Sequence, residues 1–162
     1  MTLDIIRRLF KKIKVACTVE DATSFLQVKE NPTMIEYPDG HKEWYLNGKC
    51  HREDGPAVEW FDGTKEWCLN GKYHRENGPA VERPDGSKKW YLNGNLHRED
   101  GPAVERADGH KCWYLNDKLH REDGPAVEWS DGAKHWWLNG NALTEEEFNK
   151  AKKGIMQYVE TS

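Results

Sequence analysis

Self-similarity at a period of 23 residues constrains this chain more than any other feature. Asp-Gly recurs at Asp39-Gly40, Asp62-Gly63, Asp85-Gly86, Asp108-Gly109 and Asp131-Gly132. Trp44, Trp67, Trp90, Trp113 and Trp136 keep the same spacing, as do Lys42, Lys65, Lys88, Lys111 and Lys134. Glu36, Glu59, Glu82, Glu105 and Glu128 form a further column. The string His-Arg-Glu-Asp-Gly-Pro-Ala-Val-Glu begins at His51, His97 and His120, and at His74 with Asn77 replacing Asp. Read this way, five copies run from about Pro32 to about Glu146. A unit this short buries apolar surface only against its neighbours, so the chain is expected to be a repeat array.

Each copy reads as two short strands. Pro56–Trp60 is bounded by Asp62-Gly63, and Lys65–Leu69 by Asn70-Gly71. Both dipeptides are hairpin signals, because Gly tolerates positive φ. Tyr37-Pro38-Asp39-Gly40-His41 fits a type I turn closed by a Gly bulge, which sets Glu36 opposite Lys42 and repeats that pairing in every copy. In this register Ala, Glu, Lys, Trp and Leu columns share one face of the sheet. Val58 and its equivalents share the other face with columns that vary; a two-residue turn at Asp-Gly would instead set Val with Trp. Only 36% of residues are apolar, against 32% charged, yet the chain carries 8 Trp, 6 Tyr and 4 Phe. That composition suits a thin sheet buried by large aromatics. The expected fold is mostly β: an elongated antiparallel array of hairpins with a capping α-helix at each end. A parallel β-helix is the competing architecture, disfavoured because the turns are hairpin turns.

The ends break the pattern, as caps of an array must. Residues 1–31 are expected to form an N-terminal cap containing a basic amphipathic helix. Leu3, Ile6, Leu9, Phe10 and Ile13 line one face, while Arg7, Arg8, Lys11, Lys12 and Lys14 line the other. Residues 1–15 carry a net charge of +4, leaving −8 on the rest of a chain whose total is −4. Those cations are candidates for contact with a membrane or an acidic partner; capping of the first hairpin is the favoured role. Residues 32–146 hold the repeats, and 147–162 the C-terminal capping helix. Thr144 with Glu147 three residues on is a capping box, followed by Phe148, Ala151, Ile155 and Val159 on one helical face.

The overall charge argues against a nucleic-acid coat, and no apolar run approaches the roughly 18 residues of a membrane span. The N-terminus lacks the apolar core of a secretory signal. Cys17, Cys50, Cys68 and Cys112 match neither a C-x-x-C pair nor a disulfide framework. The expectation is a soluble, reduced, cytoplasmic protein.

The His51, His74, His97 and His120 column beside Glu53, Glu76, Glu99 and Glu122 invites a metal or acid–base reading. With two strands per copy, successive imidazoles lie about 10 Å apart, too far to share an ion with ligands near 2.1 Å. A hydrogen-bonded connector is the simpler role. No nucleophile–base motif or phosphate loop is present, so no enzyme, cofactor or metal is expected. The Trp column reads as five indoles stacked for packing, and the Glu and Lys columns as mutual ion pairs. Specificity is sought instead where copies differ. The position after the recurring Glu reads Tyr37, Trp60, Arg83, Arg106 and Trp129, a stripe rich in residue types favoured at interface hot spots. Its neighbour reads Glu43, Glu66, Lys89, Cys112 and His135.

The string Asn-Gly-Lys-x-His-Arg-Glu-Asp-Gly-Pro-Ala resembles a divergent variant of the MORN repeat. The closing segment Asn139–Phe148 resembles the terminus of related repeat proteins of bacteriophages, prophages and large viruses. The resemblance implies an elongated sheet of successive hairpins that serves as a scaffold or protein-binding surface. The expected partner is a host protein, with self-association as a further possibility. The implied function is a phage or mobile-element inhibitor of a host defence protein, acting by occlusion in the host cytoplasm. Alternatives are sequestration of a small nucleotide-like ligand by the Trp, Arg and Lys columns, a membrane-associated scaffold, or an antitoxin-type protein. Nucleic-acid binding is not expected.

Overall fold

Two kinds of turn, alternating along the chain, shape the sheet. A computed structural model describes residues 31–160, with side chains described as far as Lys153. The expected N-terminal helix and its Arg7, Arg8, Lys11, Lys12 and Lys14 lie outside the described residues. The first turn type is Asp-Gly. Gly40, Gly63, Gly86, Gly109 and Gly132 take φ between 87° and 90°. Each glycine N–H donates to the carbonyl three residues earlier, as from Gly40 to Tyr37 at 2.9 Å, and the N–H of Tyr37 closes the loop on His41 at 3.0 Å. This is the expected turn with its bulge. The second type is Asn-Gly, where Asn47, Asn70, Asn93, Asn116 and Asn139 sit at φ 50–54°. The following residue is also left-handed, including Asp117 at 62°. Two consecutive positive φ values give the two-residue turn whose twist matches a hairpin.

These turns cut the chain into short strands. They are β1 (Thr33–Glu36), β2 (Lys42–Leu46), β3 (Lys49–Cys50), β4 (Val58–Glu59), β5 (Lys65–Glu66), β6 (Cys68–Leu69), β7 (Lys72–Tyr73), β8 (Val81–Glu82) and β9 (Lys88–Lys89). There follow β10 (Tyr91–Leu92), β11 (Asn95–Leu96), β12 (Val104–Glu105), β13 (Lys111–Cys112), β14 (Tyr114–Leu115), β15 (Lys118–Leu119), β16 (Val127–Glu128), β17 (Lys134–Leu138) and β18 (Asn141–Leu143). The main sheet runs β1-β2-β4-β5-β8-β9-β12-β13-β16-β17-β18. Its pairs are antiparallel, which is the hairpin arrangement and not the parallel coil. Glu36, Glu59, Glu82, Glu105 and Glu128 face Lys42, Lys65, Lys88, Lys111 and Lys134 across the Asp-Gly turns, as the turn chemistry requires.

The expectation of two strands per copy needs correcting, because the residues after Asn-Gly form a third. Thus β6 pairs β7, β10 pairs β11 and β14 pairs β15, each a separate two-stranded ladder. The tryptophan marks the change of partner. The N–H of Trp67 donates to Ala80 at 2.8 Å across the main sheet, while its carbonyl accepts from His74 at 3.0 Å within its own hairpin.

The core is as thin as the composition requires. Ala57, Ala80, Ala103 and Ala126 are completely buried, with Val58, Val81 and Val127 nearly so on the opposite face. At the C-terminal end lies α1 (Glu145–Glu160). Thr144 and Glu147 exchange the expected bonds: the Thr144 N–H donates to the Glu147 carboxylate at 2.8 Å, and the Glu147 N–H to Thr144 Oγ1 at 3.2 Å. This pulls the Glu147 carboxyl below its usual range. Phe148 is buried as α1 packs against β17 and β18. Among the described residues no helix is long and apolar enough to cross a membrane.

Candidate functional site

The two faces of the sheet differ in kind. On the recurring face an arginine from each His-Arg-Glu-Asp segment lies over a tryptophan. Arg52, Arg75, Arg98 and Arg121 sit 3.8–4.1 Å from the ring centres of Trp44, Trp67, Trp90 and Trp113. The same guanidinium donates to a proline carbonyl, as Arg98 does to Pro102 at 3.2 Å, and to the recurring glutamate, as Arg98 does to Glu105 at 2.9 Å. Gly101 makes room for it: a Cβ there would lie 2.9 Å from the Arg98 guanidinium carbon, and Gly55 stands likewise to Arg52.

Two expectations are corrected here. The indoles do not stack on one another among the described residues; successive tryptophans fall on every second main-sheet strand, about 9–10 Å apart, beyond the ~7 Å limit of ring contact. Arginine fills the interval. Nor do Glu and Lys form a continuous set of ion pairs. Lys42 lies 3.9 Å from Glu36, but Glu59, Glu82, Glu105 and Glu128 are taken by arginine at 2.7–3.4 Å. The planar fork, held by the indole, reaches the carboxylate in a geometry that the flexible, exposed ammonium does not match.

The histidine column acts as a connector. The N–H of Asn70 donates to Nδ1 of His51 at 3.1 Å, and Asn93 and Asn139 donate likewise to His74 and His120. His97 Nδ1 lies 3.0 Å from the side-chain oxygen of Asn116. Each imidazole thereby ties one hairpin to the strained Asn turn of the next. Grooves between successive arginine segments recur with the period, about 500 Å3 around Arg52, Trp67 and Arg75 and about 520 Å3 around Arg98, Trp113 and Arg121.

The variable face carries the expected stripe. Tyr37 stacks on His41 at 4.0 Å, and His41 on Trp60 at 5.1 Å. Trp60 and Arg83 line one depression of about 540 Å3 with Asp62, Thr64 and Pro84. Arg83 and Arg106 line the next cleft, and Trp129 meets His110 edge-on at 4.2 Å. Trp60, Phe61 and Trp129 remain exposed, Phe61 to 74%. His41 and His110 were missed as site residues. The position after each Asp-Gly reads His41, Thr64, Ser87, His110 and Ala133, a variable column that was a readable signal.

The neighbouring column decides how well this face satisfies itself. Glu43 accepts hydrogen bonds from Tyr37 and Tyr45 at 3.0 and 2.7 Å, and Glu66 from Trp60 Nε1 and Tyr73 at 3.1 and 2.9 Å. The bond to Glu43 raises the Tyr37 hydroxyl and pushes that of Tyr45 up to about 12, so both stay donors. In the next two copies the acid becomes Lys89 and Cys112, while the aromatic becomes Arg83 and Arg106. Cys112 Sγ lies 2.8 Å from His110 Nε2, and burial pushes that thiol up, away from the thiolate form. Comparison of the chain with protein-family models and with curated proteins gave no match to either.

Proposed function

We propose that this chain is a non-enzymatic, five-repeat, MORN-like binding protein that acts by covering a surface of another protein. The observation that carries the reading is the division of labour between the two faces. One face spends its Trp, Arg, Glu and Pro groups on bonds to itself in every copy. The other presents Tyr37, Trp60, Arg83, Arg106 and Trp129 in an order that does not repeat. A surface that only had to hold the sheet together would repeat on both sides, as the Arg–Trp column does. Exposed Trp with adjacent Arg is the pattern of a contact surface. From the resemblance, the setting is a phage-encoded or mobile-element inhibitor of a host defence protein in the host cytoplasm.

The test is affinity purification of the tagged full chain from bacterial lysate, with mass spectrometry of co-eluting proteins. One stoichiometric host protein is expected. It should be lost from the Trp60→Ala/Arg83→Ala double variant while the circular dichroism spectrum is retained, since Trp60, 38% exposed, gives up only its stack on His41 and its bond to Glu66. Retention of the partner by the double variant would sink the proposal.

A further inference from the structure

We propose that the cleft between Arg83 and Arg106 binds the phosphate group of a small organic phosphate monoester, of which a nucleoside monophosphate is the simplest probe. This site shares Arg83 and Arg106 with the protein-contact stripe but does not depend on the protein-partner reading. The cleft has a volume of about 630 Å3, within the range of small-molecule sites. The depression one copy earlier is lined by Trp60, Asp62, Thr64, Arg83, Pro84 and Asp85, and there Glu66 accepts from Trp60 and Tyr73. Retaining that glutamate in the third and fourth copies would have given each arginine a built-in carboxylate. The chain instead places Lys89 and Cys112 there and so gathers three cations, Arg83, Lys89 and Arg106, around a cleft that Asp85, Glu105 and Asp108 also line.

Glu105 is held by Arg98 at 2.9 Å, while the Asp85 carboxyl is pulled down chiefly by its bonds from Ser87 and also by Arg83 and Arg106. Asp85 accepts the N–H of Ser87 at 2.8 Å, and Asp108 that of His110 at 2.9 Å. Arg106 Nε reaches Asp108 only at 3.8 Å. Among the described residues neither Arg83 nor Lys89 makes an ion pair. A second observation points to the same place. His110 lines the cleft, is only 6% exposed, and its Nδ1 is buried without a hydrogen-bond partner. With Nε2 lying 2.8 Å from the Cys112 thiol, Nδ1 is the ring's one polar atom left without a partner.

Charge and shape select the ligand. With Glu105 committed to Arg98, the three cations exceed the two remaining carboxylates, Asp85 and Asp108, and a phosphate monoester brings about −1.5 to −2 at neutral pH and three acceptor oxygens. Guanidinium forks bind such oxyanions bidentately. The remaining walls are Leu96, Val104, Ala107 and Tyr114. Val104 is less covered than Val58, Val81 and Val127, leaving apolar surface for an organic body.

The experiment is calorimetric titration of the full chain with adenosine monophosphate, adenosine and inorganic phosphate, in the absence of any partner. The monophosphate is expected to bind about tenfold or more tightly than adenosine, to be displaced by inorganic phosphate, and to weaken as salt rises from about 50 to 300 mM. The Lys89→Gln/Arg106→Gln variant should lose about tenfold or more in affinity with an unchanged melting temperature. Equal binding of adenosine and its monophosphate would overturn the proposal. So would no binding of the monophosphate at millimolar concentration, or full affinity in the variant. Since no partner is present, the outcome is read independently of the lysate experiment above.

Discussion

Arg98 and Arg106 are eight positions apart, yet they should respond to truncation in opposite ways. Arg98 stacks on Trp90 at 4.0 Å, donates to Pro102 and Glu105, and meets Asp100 at 2.8 Å. Its side chain is 21% exposed. The stacked cation is worth about 0.5–1 kcal/mol near a surface. The charged bond to the proline carbonyl adds about 1–1.5 kcal/mol, and the partly screened pair with Glu105 about 0.5 kcal/mol. Asp100 is too exposed to add much. Arg98→Ala should therefore cost about 2–3 kcal/mol, which lowers the melting temperature by roughly 4–12 °C for a chain of this size. Arg98→Lys should recover less than half of that, because an ammonium neither stacks as well nor forks. Arg106 is 58% exposed, with only a 3.8 Å approach to Asp108. Arg106→Ala should stay within about 0.5 kcal/mol of wild type. Urea titration followed by tryptophan fluorescence measures all three variants. A loss below about 1 kcal/mol for Arg98→Ala, or an equal loss for Arg106→Ala, would refute the division between a structural and a presented arginine.

Asn93, at φ 54°, should tolerate Gly with little loss, whereas Asn93→Ala should cost about 1–2 kcal/mol, measured by the same titration. Cys50 should be alkylated ahead of Cys68 and at lower pH than an ordinary thiol. Cys50 is the less buried of the two, and its interaction with the Cys68 thiol pulls Cys50 down and pushes Cys68 up. Peptide mass spectrometry after iodoacetamide treatment across a pH series reads this, and Cys68→Ala should return Cys50 towards normal. Acid should weaken the fold along a definite limb. Hydrogen bonds from Arg98 hold the Asp100 carboxyl down, those from Arg121 hold Asp123, and those from Thr144 hold Glu147. Depressed carboxyls stabilise the folded state fully above their unfolded values near 4, and that contribution is lost as pH falls through the lower folded values. The melting temperature should thus be flat from about pH 7 to 5 and fall below about pH 4; a decline already complete at pH 5 would contradict this.

Much of the fold was legible because turn chemistry is local. Asp-Gly with its bulge prescribes the Glu–Lys register from five consecutive residues, and Thr144 with Glu147 prescribes the start of α1. The third strand was less legible, since a two-residue arm such as Lys72–Tyr73 has too few residues for any alternation to show. The stripe at Tyr37, Trp60, Arg83, Arg106 and Trp129 could be placed on its face from strand parity alone. The histidines beside it could not, because His41 and His110 sit at bulge positions where parity fails.

The sequence by itself determined where the chain turns, which residues pair across each Asp-Gly turn, and which columns repeat and which vary. Turns depend on the φ preferences of one or two residues, and register follows from them. Only the tertiary structure decided that arginine and not lysine answers the recurring glutamate, and that guanidinium layers separate the indoles. It alone brought Arg83, Lys89, Arg106 and His110 around one cleft. Those contacts join residues from different strands and turns, and their distances are set by strand spacing and side-chain reach, which no local pattern records.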